Sequence, residues 1–549
     1  MDFKRLGIVL LLVAIAIALL GWNHVFELRF EEPRRAIVTW EMLHFKDFLR
    51  PTIQGWSYYN KPPFFNLVMG VFCWLLGSFD EWVIRLPSIL SLLATGFLFY
   101  RVSKPYIGQA AALGIGLLTL TSSEIFFHST IYSGEIDLFF LFLTTSQVLA
   151  IFVFQQKGNY IALFLTSYFI AACGVLTKGL PSIAFQGITI LAWLIASKSW
   201  KKLFHWSHFV GIALFVLMIG GYFYAYSFYD DAGAFAANLF KEASQRTATE
   251  NSFGQVLAGI AKFPLTVAFL LLPWLFLVVY CFRKGFWNTV KNNPFLHFSV
   301  VFILANIILY WLSPGVKRRY LFMFIPFLFG IIAHFFVKFH TERTKLSNIV
   351  DGIWTFFICL ISLAFLAFPF IPVTADVSGV WMWSILFFLL AVGIVYTYLK
   401  QKNRLVRLLF VVGIVVLARF GFNVIFMPGQ AAKSDSMIYR GLTEEVLAIT
   451  QQAEIHFGDD VINYEKNISF GPWHVGSYSL KRPPFFNYQI PYYLSKANGH
   501  VMQFDEEIQA DVFYILPKAK AERLEMNVYK EFYPSKHKDR LWALAKKEQ

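Results

Sequence analysis

Between Phe30 and Pro63 the chain gathers two adjacent carboxylates, Glu31 and Glu32, two arginines, Arg34 and Arg35, and Lys61 set directly before Pro62 and Pro63. A carboxylate can take a proton from an attacking hydroxyl, and arginine or lysine can hold a phosphate, so this group suits chemistry on a charged substrate. Other ionisable residues stand at the ends of apolar runs: Glu135 and Asp137, Lys178, Glu242 and Arg246, and the run Lys317, Arg318 and Arg319 ahead of Tyr320. Ionisable groups at membrane depth are costly, and those retained there generally serve a site.

The elements that must position them are apolar. Of 549 residues, 57% are hydrophobic and 19% aromatic, and the mean hydropathy is +0.55. This exceeds the apolar share of a soluble domain and marks a polytopic α-helical membrane protein. Runs long enough to cross a bilayer lie at about 6–22, 84–100, 109–131, 137–155, 160–177, 180–197, 207–227, 262–282, 296–313, 320–337, 350–371, 380–399 and 405–427, thirteen in all. The run 6–22 follows Lys4 and Arg5 and has no small-residue cleavage site after it, so it reads as a retained helix with a cytoplasmic N-terminus. The four cysteines lie in apolar segments without metal-ligand spacing.

Charge decides the ambiguous stretch Phe64 to Phe79. With it set aside as re-entrant or interfacial, Arg101 and Lys104, Lys157, the Lys198 to Lys202 group, the Arg283 to Lys291 group, the Lys338 to Lys345 group and the Lys400 to Arg407 group all fall on the side of the N-terminus. The positive-inside rule then holds at every inner loop. Arg34, Arg35, Lys61, Lys178, Arg246 and Lys317 to Arg319 fall on the outer side, where topology disfavours cations, so an anion is expected to hold them there. To the formal net charge of +14, residues 430–549 contribute −1, with 15 bases against 16 acids. The surplus lies in the loops between apolar runs, which reads as topology and phosphate contact and not as nucleic-acid binding.

Two domains are expected, 1–428 in the membrane and 429–549 outside it. Amphipathic helices such as Ala36 to Phe45 are expected to lie along the interface in the long first outer loop, 23–83. In the polar C-terminal part, Ser434 to Phe457 reads as a helix, and Asp459 to Tyr464 and Asp511 to Leu516 read as strands of a small α/β domain.

In order along the chain, EEPRRAIVTWEML, FLRP, YYNKPPFF, EWVIRLPS, SGEIDLFFLF, LTKGLPS and SPGVKRRYLFMFIPF resemble the motifs of the bacterial aminoarabinose transferase and protein mannosyltransferase superfamily. These are multi-span glycosyltransferases that use polyprenyl-phosphate sugars. The resemblance covers residues 1–330 well and the remainder in outline. It implies a catalytic acid at Glu31, where the family has the shorter Asp, and a second acid at Asp137. It implies contacts to lipid phosphate or sugar from Arg34, Lys61, Lys178, Lys317 and Tyr320; beside these, Tyr58 near Lys61 offers a hydroxyl, and Arg246 offers either a phosphate contact or an ion pair with Glu242. For several of these a plain structural role fits as well: Glu31 and Glu32 as a helix cap or ion pair with Arg34 and Arg35, Asp137 as a helix N-cap, and the arginines as anchors to lipid headgroups.

Aminoarabinose transferases carry an acid before the lysine of the KPP motif and a histidine in the fourth outer loop. Here those positions are Asn60 and Ala243, so a zinc site like theirs is not expected, although another divalent metal remains open. The resemblance implies an inverting transfer, on the periplasmic side of a bacterial inner membrane, from a polyprenyl-phosphate carrier to lipid A, another glycolipid or glycan, or a protein. Membrane lipids are the other expected partners. The alternative is a lipid or glycan transporter without transferase chemistry, which would carry midplane charges and internal repeats.

Overall fold

A backbone in hydrocarbon must bond to itself, so apolar runs of this length fold as helices. The computed structural model describes residues 3–244, 253–313, 316–342, 344–434, 437–470, 473–482, 487–534 and 540–548. Among the described residues nine helices are long and apolar enough to cross a membrane. One of them, Glu81–Leu120, holds two of the expected runs joined at Gly108, whose φ of +81° is open to glycine and breaks the helix. The run expected at 262–282 is also not one straight helix. It bends by 106° between Gly254–Leu270 and Leu275–Phe282, where Pro273 offers no N–H to continue the ladder. Arg5–Leu20 and Pro181–Ala196 are shorter apolar helices, so each of the thirteen runs is helical over at least part of its length.

The stretch set aside on charge grounds forms the helix Phe64–Leu76, only 13 residues long, or about 20 Å, and short of a bilayer core. It packs against the helix Glu32–Phe45, which includes the expected amphipathic segment. Between these two helices lies a small hairpin of β1 (Thr52–Ile53) and β2 (Trp56–Ser57), turned at Gln54 and Gly55 with φ of +55° and +79°. The Glu41 carboxylate pins this turn by accepting from the Thr52 hydroxyl at 2.7 Å and from the backbone N–H groups of Gln54 and Gly55 at 2.5 and 3.1 Å. The hairpin leads directly into Tyr58 to Lys61.

The C-terminal part is mixed. β3 (Ile455–Gly458), β6 (Phe504–Asp505), β7 (Phe513–Pro517), β8 (Asn527–Phe532) and β9 (Trp542–Lys546) form a sheet in the order β6-β3-β7-β9-β8. β4 (Ile462–Phe470) and β5 (Trp473–Arg482) pair as a separate hairpin. The helix expected from Ser434 to Phe457 covers only Tyr439–Thr450, because Gln451 and Gln452 turn left-handed and the chain then enters β3. Of the strand expected at Asp459 to Tyr464, residues 459–461 form a break after β3, and only Ile462 to Tyr464 are strand, the start of β4.

This region docks on the first loop. Glu27 accepts from the backbone N–H groups of Tyr439 and Arg440 at 3.2 and 2.9 Å, placing a carboxylate at a helix start. The Arg440 side chain and the Tyr493 hydroxyl both donate to Glu81, at 2.7 and 2.8 Å. At the sheet edge, Phe504 N–H donates to the Gln54 carbonyl, and the Trp56 indole donates to the Phe504 carbonyl at 3.0 Å.

Candidate active site

Glu31 stands where a strained backbone meets a helix start. Phe30 adopts φ of +54°, a region that bulky residues avoid, and Glu32–Phe45 begins immediately after Glu31 with Pro33 in its first turn. One turn on, Arg34 and Arg35 come back to the Glu31 carboxylate. Arg34 is ion-paired with it, and Arg35 Nη2 lies 4.0 Å away. The Tyr58 ring sits against both guanidinium groups, 5.8 and 5.7 Å from ring centre to the guanidinium carbons, so it positions these cations from behind and does not line the cavity described below.

Glu32 turns away from this group, and its partner lies far along the chain. It is fully buried and forms a two-pronged pair with Arg85, with Nε to Oε1 at 2.8 Å and Nη2 to Oε2 at 2.7 Å. Arg85 also donates to the carbonyls of Asn23, Phe26 and Glu27, while Glu32 accepts from the N–H of Arg29 and of Gly134. A side chain at Gly134 would meet Glu32 Oε1 at 3.1 Å, so glycine permits this approach. The pair thus ties the loop bearing Glu31 to the loop bearing Glu135 and Asp137.

Asp137 is the first residue of the helix Asp137–Gln156 but makes no cap. Its carboxylate accepts from Lys178 Nζ at 2.5 Å and lies 3.5 Å from Arg319 Nε. Lys178 ends the helix Tyr160–Lys178 just before Gly179, whose φ of +90° and ψ of −152° suit only glycine and send the chain into Pro181–Ala196. The Lys178 ammonium lies 4.9 Å from the ring centres of both Phe140 and Tyr320. Arg319 is ion-paired with Glu135. Burial, with the Asp137 carboxylate alongside, raises Glu135 from the ordinary carboxylate range to about 7.

These groups converge on one cavity of about 270 Å³. Arg34, Arg35, Lys61, Lys178, Lys317 and Arg319 face Glu31, Glu135 and Asp137 across it, a formal surplus of three positive charges. A second cavity of about 770 Å³ adjoins it, sharing Glu31, Glu135, Asp137, Lys317 and Arg319. Of the residues singled out from sequence, Glu31, Arg34, Lys61, Asp137, Lys178, Lys317 and Tyr320 line the first cavity, and Arg246 lies outside the described residues. The sequence reading left Arg319 as a headgroup anchor and gave Glu135 no role, yet both line the two cavities. The available signal was their position in the same two motifs as Tyr320 and Asp137. No histidine or cysteine lines the first cavity, and among the described residues no group of three or more His, Cys, Asp and Glu is arranged to hold a metal ion.

Residues 60–221 match the family model described as dolichyl-phosphate-mannose-protein mannosyltransferase. Two similar relatives are named undecaprenyl phosphate-alpha-4-amino-4-deoxy-L-arabinose arabinosyl transferase. The one from Edwardsiella ictaluri is 24% identical over 290 residues, 49% of this chain and 50% of that protein. The one from Serratia proteamaculans is 22% identical over 355 residues, 62% and 61% respectively. The chain therefore spans about half to three fifths of the curated relatives it matches. The crystal structure of ArnT from Cupriavidus metallidurans bound to undecaprenyl phosphate superposes with a TM-score of 0.69 at 16% identity, covering 97% of each chain, a likeness of fold. The chain is a multi-pass membrane protein that resembles the aminoarabinose transferase and protein mannosyltransferase superfamily in sequence and fold.

Proposed function

We propose that this protein is an inverting glycosyltransferase that moves a sugar from a polyprenyl monophosphate to an acceptor. In this reading the site faces the periplasm, and the protein lies in a bacterial inner membrane with its N-terminus in the cytoplasm. One observation carries it: a surplus of cations stands in the same small cavity as a partly exposed carboxylate, Glu31.

The acceptor oxygen attacks the anomeric carbon, and its proton passes to the Glu31 carboxylate. The bond from that carbon to the phosphate oxygen breaks, and its electron pair stays on the phosphate, where Arg34, Lys61, Lys178 and Lys317 offset the charge. A single displacement inverts the centre. Asp137 orients Lys178 and Arg319, and Tyr320 backs the Lys178 ammonium. Arg246, from the fourth outer loop, would add a further phosphate contact, and no resident zinc takes part. Names of the relatives and the polyprenyl ligand of the ArnT structure support this reading.

The test is binding of undecaprenyl phosphate to protein in nanodiscs. Lys61→Ala is expected to weaken it about ten- to hundredfold, the worth of one charge-assisted contact. Unchanged affinity would count against the assignment.

A pH effect follows from Glu135. Below about 7 its carboxyl is neutral, and above that it adds a negative charge to the cavity. Phosphate affinity is therefore expected to fall as pH rises through that value. The phosphate itself also titrates nearby, so the readout is the difference between wild type and Glu135→Gln, which should lack this fall. Identical pH profiles would remove Glu135 from the account.

A further inference from the structure

The two cavities differ in charge. With every carboxyl ionised, as above about pH 7, the smaller has its surplus of three cations, while the larger sets Glu31, Glu124, Glu135 and Asp137 against Lys317, Arg318 and Arg319, a deficit of one. Two of its three cations are engaged: Arg318 donates to Glu124 at 2.8 Å, and Arg319 pairs with Glu135 and Asp137. A phosphate entering here would meet four carboxylates, and like charges in a confined site are repelled.

The rest of its wall suits a sugar. Phe30, 64% exposed at its strained φ, stands edge-on to Tyr132 with ring centres 5.1 Å apart, and His128 lies 6.0 Å from the same ring. Aromatic faces pack on the C–H faces of sugar rings, and carboxylates accept from sugar hydroxyls. Leu138, Thr266 and Phe322, from apolar helical segments, also line it and give it an apolar side on which a lipid-borne group would pack.

We infer that the larger cavity receives the acceptor, and that the acceptor presents an uncharged sugar hydroxyl carried on a lipid, not a phosphate. This rests on the transfer reading above. Glu31 lines both cavities, so the acceptor hydroxyl gives its proton to Glu31 on one side while the sugar leaves its phosphate on the other.

The test uses the full chain in nanodiscs loaded with undecaprenyl phosphate and three probes, read by native mass spectrometry. These are diglucosyl diacylglycerol, a bisphosphorylated diglucosamine lipid and a Ser/Thr-rich peptide. The neutral glycolipid is expected to bind at least about tenfold more tightly than the phosphorylated one. Phe30→Ala should weaken it about tenfold through lost ring contact. Glu124→Lys turns the charge deficit into a surplus and should strengthen binding of the phosphorylated probe about tenfold or more, a gain that misfolding cannot produce. Tighter binding of the phosphorylated probe to the unaltered protein, binding of the peptide alone, or binding of no probe would overturn the inference while leaving the transfer reading intact. Failure of undecaprenyl phosphate to load would overturn both.

Discussion

Glu31→Gln is expected to lower the single-turnover rate of sugar transfer by about 10²- to 10⁴-fold, the usual contribution of a positioned general base. Gln keeps the size of the side chain and removes only its capacity to accept the acceptor's proton. Binding should move the other way. Glu31 shares the cavity with Arg34, which is paired to it, and with Arg35 at 4.0 Å, so neutralising it frees positive charge for the lipid phosphate. Undecaprenyl phosphate should bind Glu31→Gln at least as tightly as wild type. A collapse in rate with retained or improved binding is the signature of a base. Equal losses in both would make Glu31 a structural anchor for Arg34. Glu31→Asp, which keeps the charge on a shorter arm, should recover part of the rate.

The second large effect concerns stability. Arg85→Ala leaves the fully buried Glu32 carboxyl with two backbone N–H donors and without its guanidinium partner, and leaves three carbonyls of the first loop without their donor. Breaking one side of such a pair costs about 3–5 kcal/mol. The expected result is a large drop in the thermal midpoint of detergent-solubilised protein, with little folded material recovered. Replacing both partners by leucine should restore part of the loss, because a buried pair exchanged for apolar groups is often near neutral. If Arg85→Ala unfolds like wild type, the pair is not the brace between the two loops.

What the sequence made legible follows a physical divide. Arg34, Lys61, Lys178 and Lys317 stood out because cations on the disfavoured face of a membrane need a reason, and the helix breaks beside them, at Pro62 and Pro63 and at Gly179, are written in single residues. Phe64–Leu76 was separable from the spans by loop charge, and it forms a helix of 13 residues. Partnerships at long range were not legible. Nothing local says that Glu32 answers to Arg85, 53 positions on, and not to Arg34 or Arg35, or that Arg319 answers to Glu135 across 184 positions. The Glu32 reading as a cap or neighbour pair fails because its side chain points into the protein, while Glu31 alone meets the arginines. In the C-terminal part, the apolar pattern of Ser434 to Phe457 ran on through a helix end that only the backbone at Gln451 and Gln452 reveals.

All of this depends on where a lipid phosphate sits. The most direct measurement is an electron cryo-microscopy map of the full chain in nanodiscs with undecaprenyl phosphate. The account predicts phosphate density in the 270 Å³ cavity, within hydrogen-bond reach of Lys61 and Arg34 and close to Glu31. Phosphate density outside that cavity, with Lys61 and Arg34 turned away from it, would contradict the account.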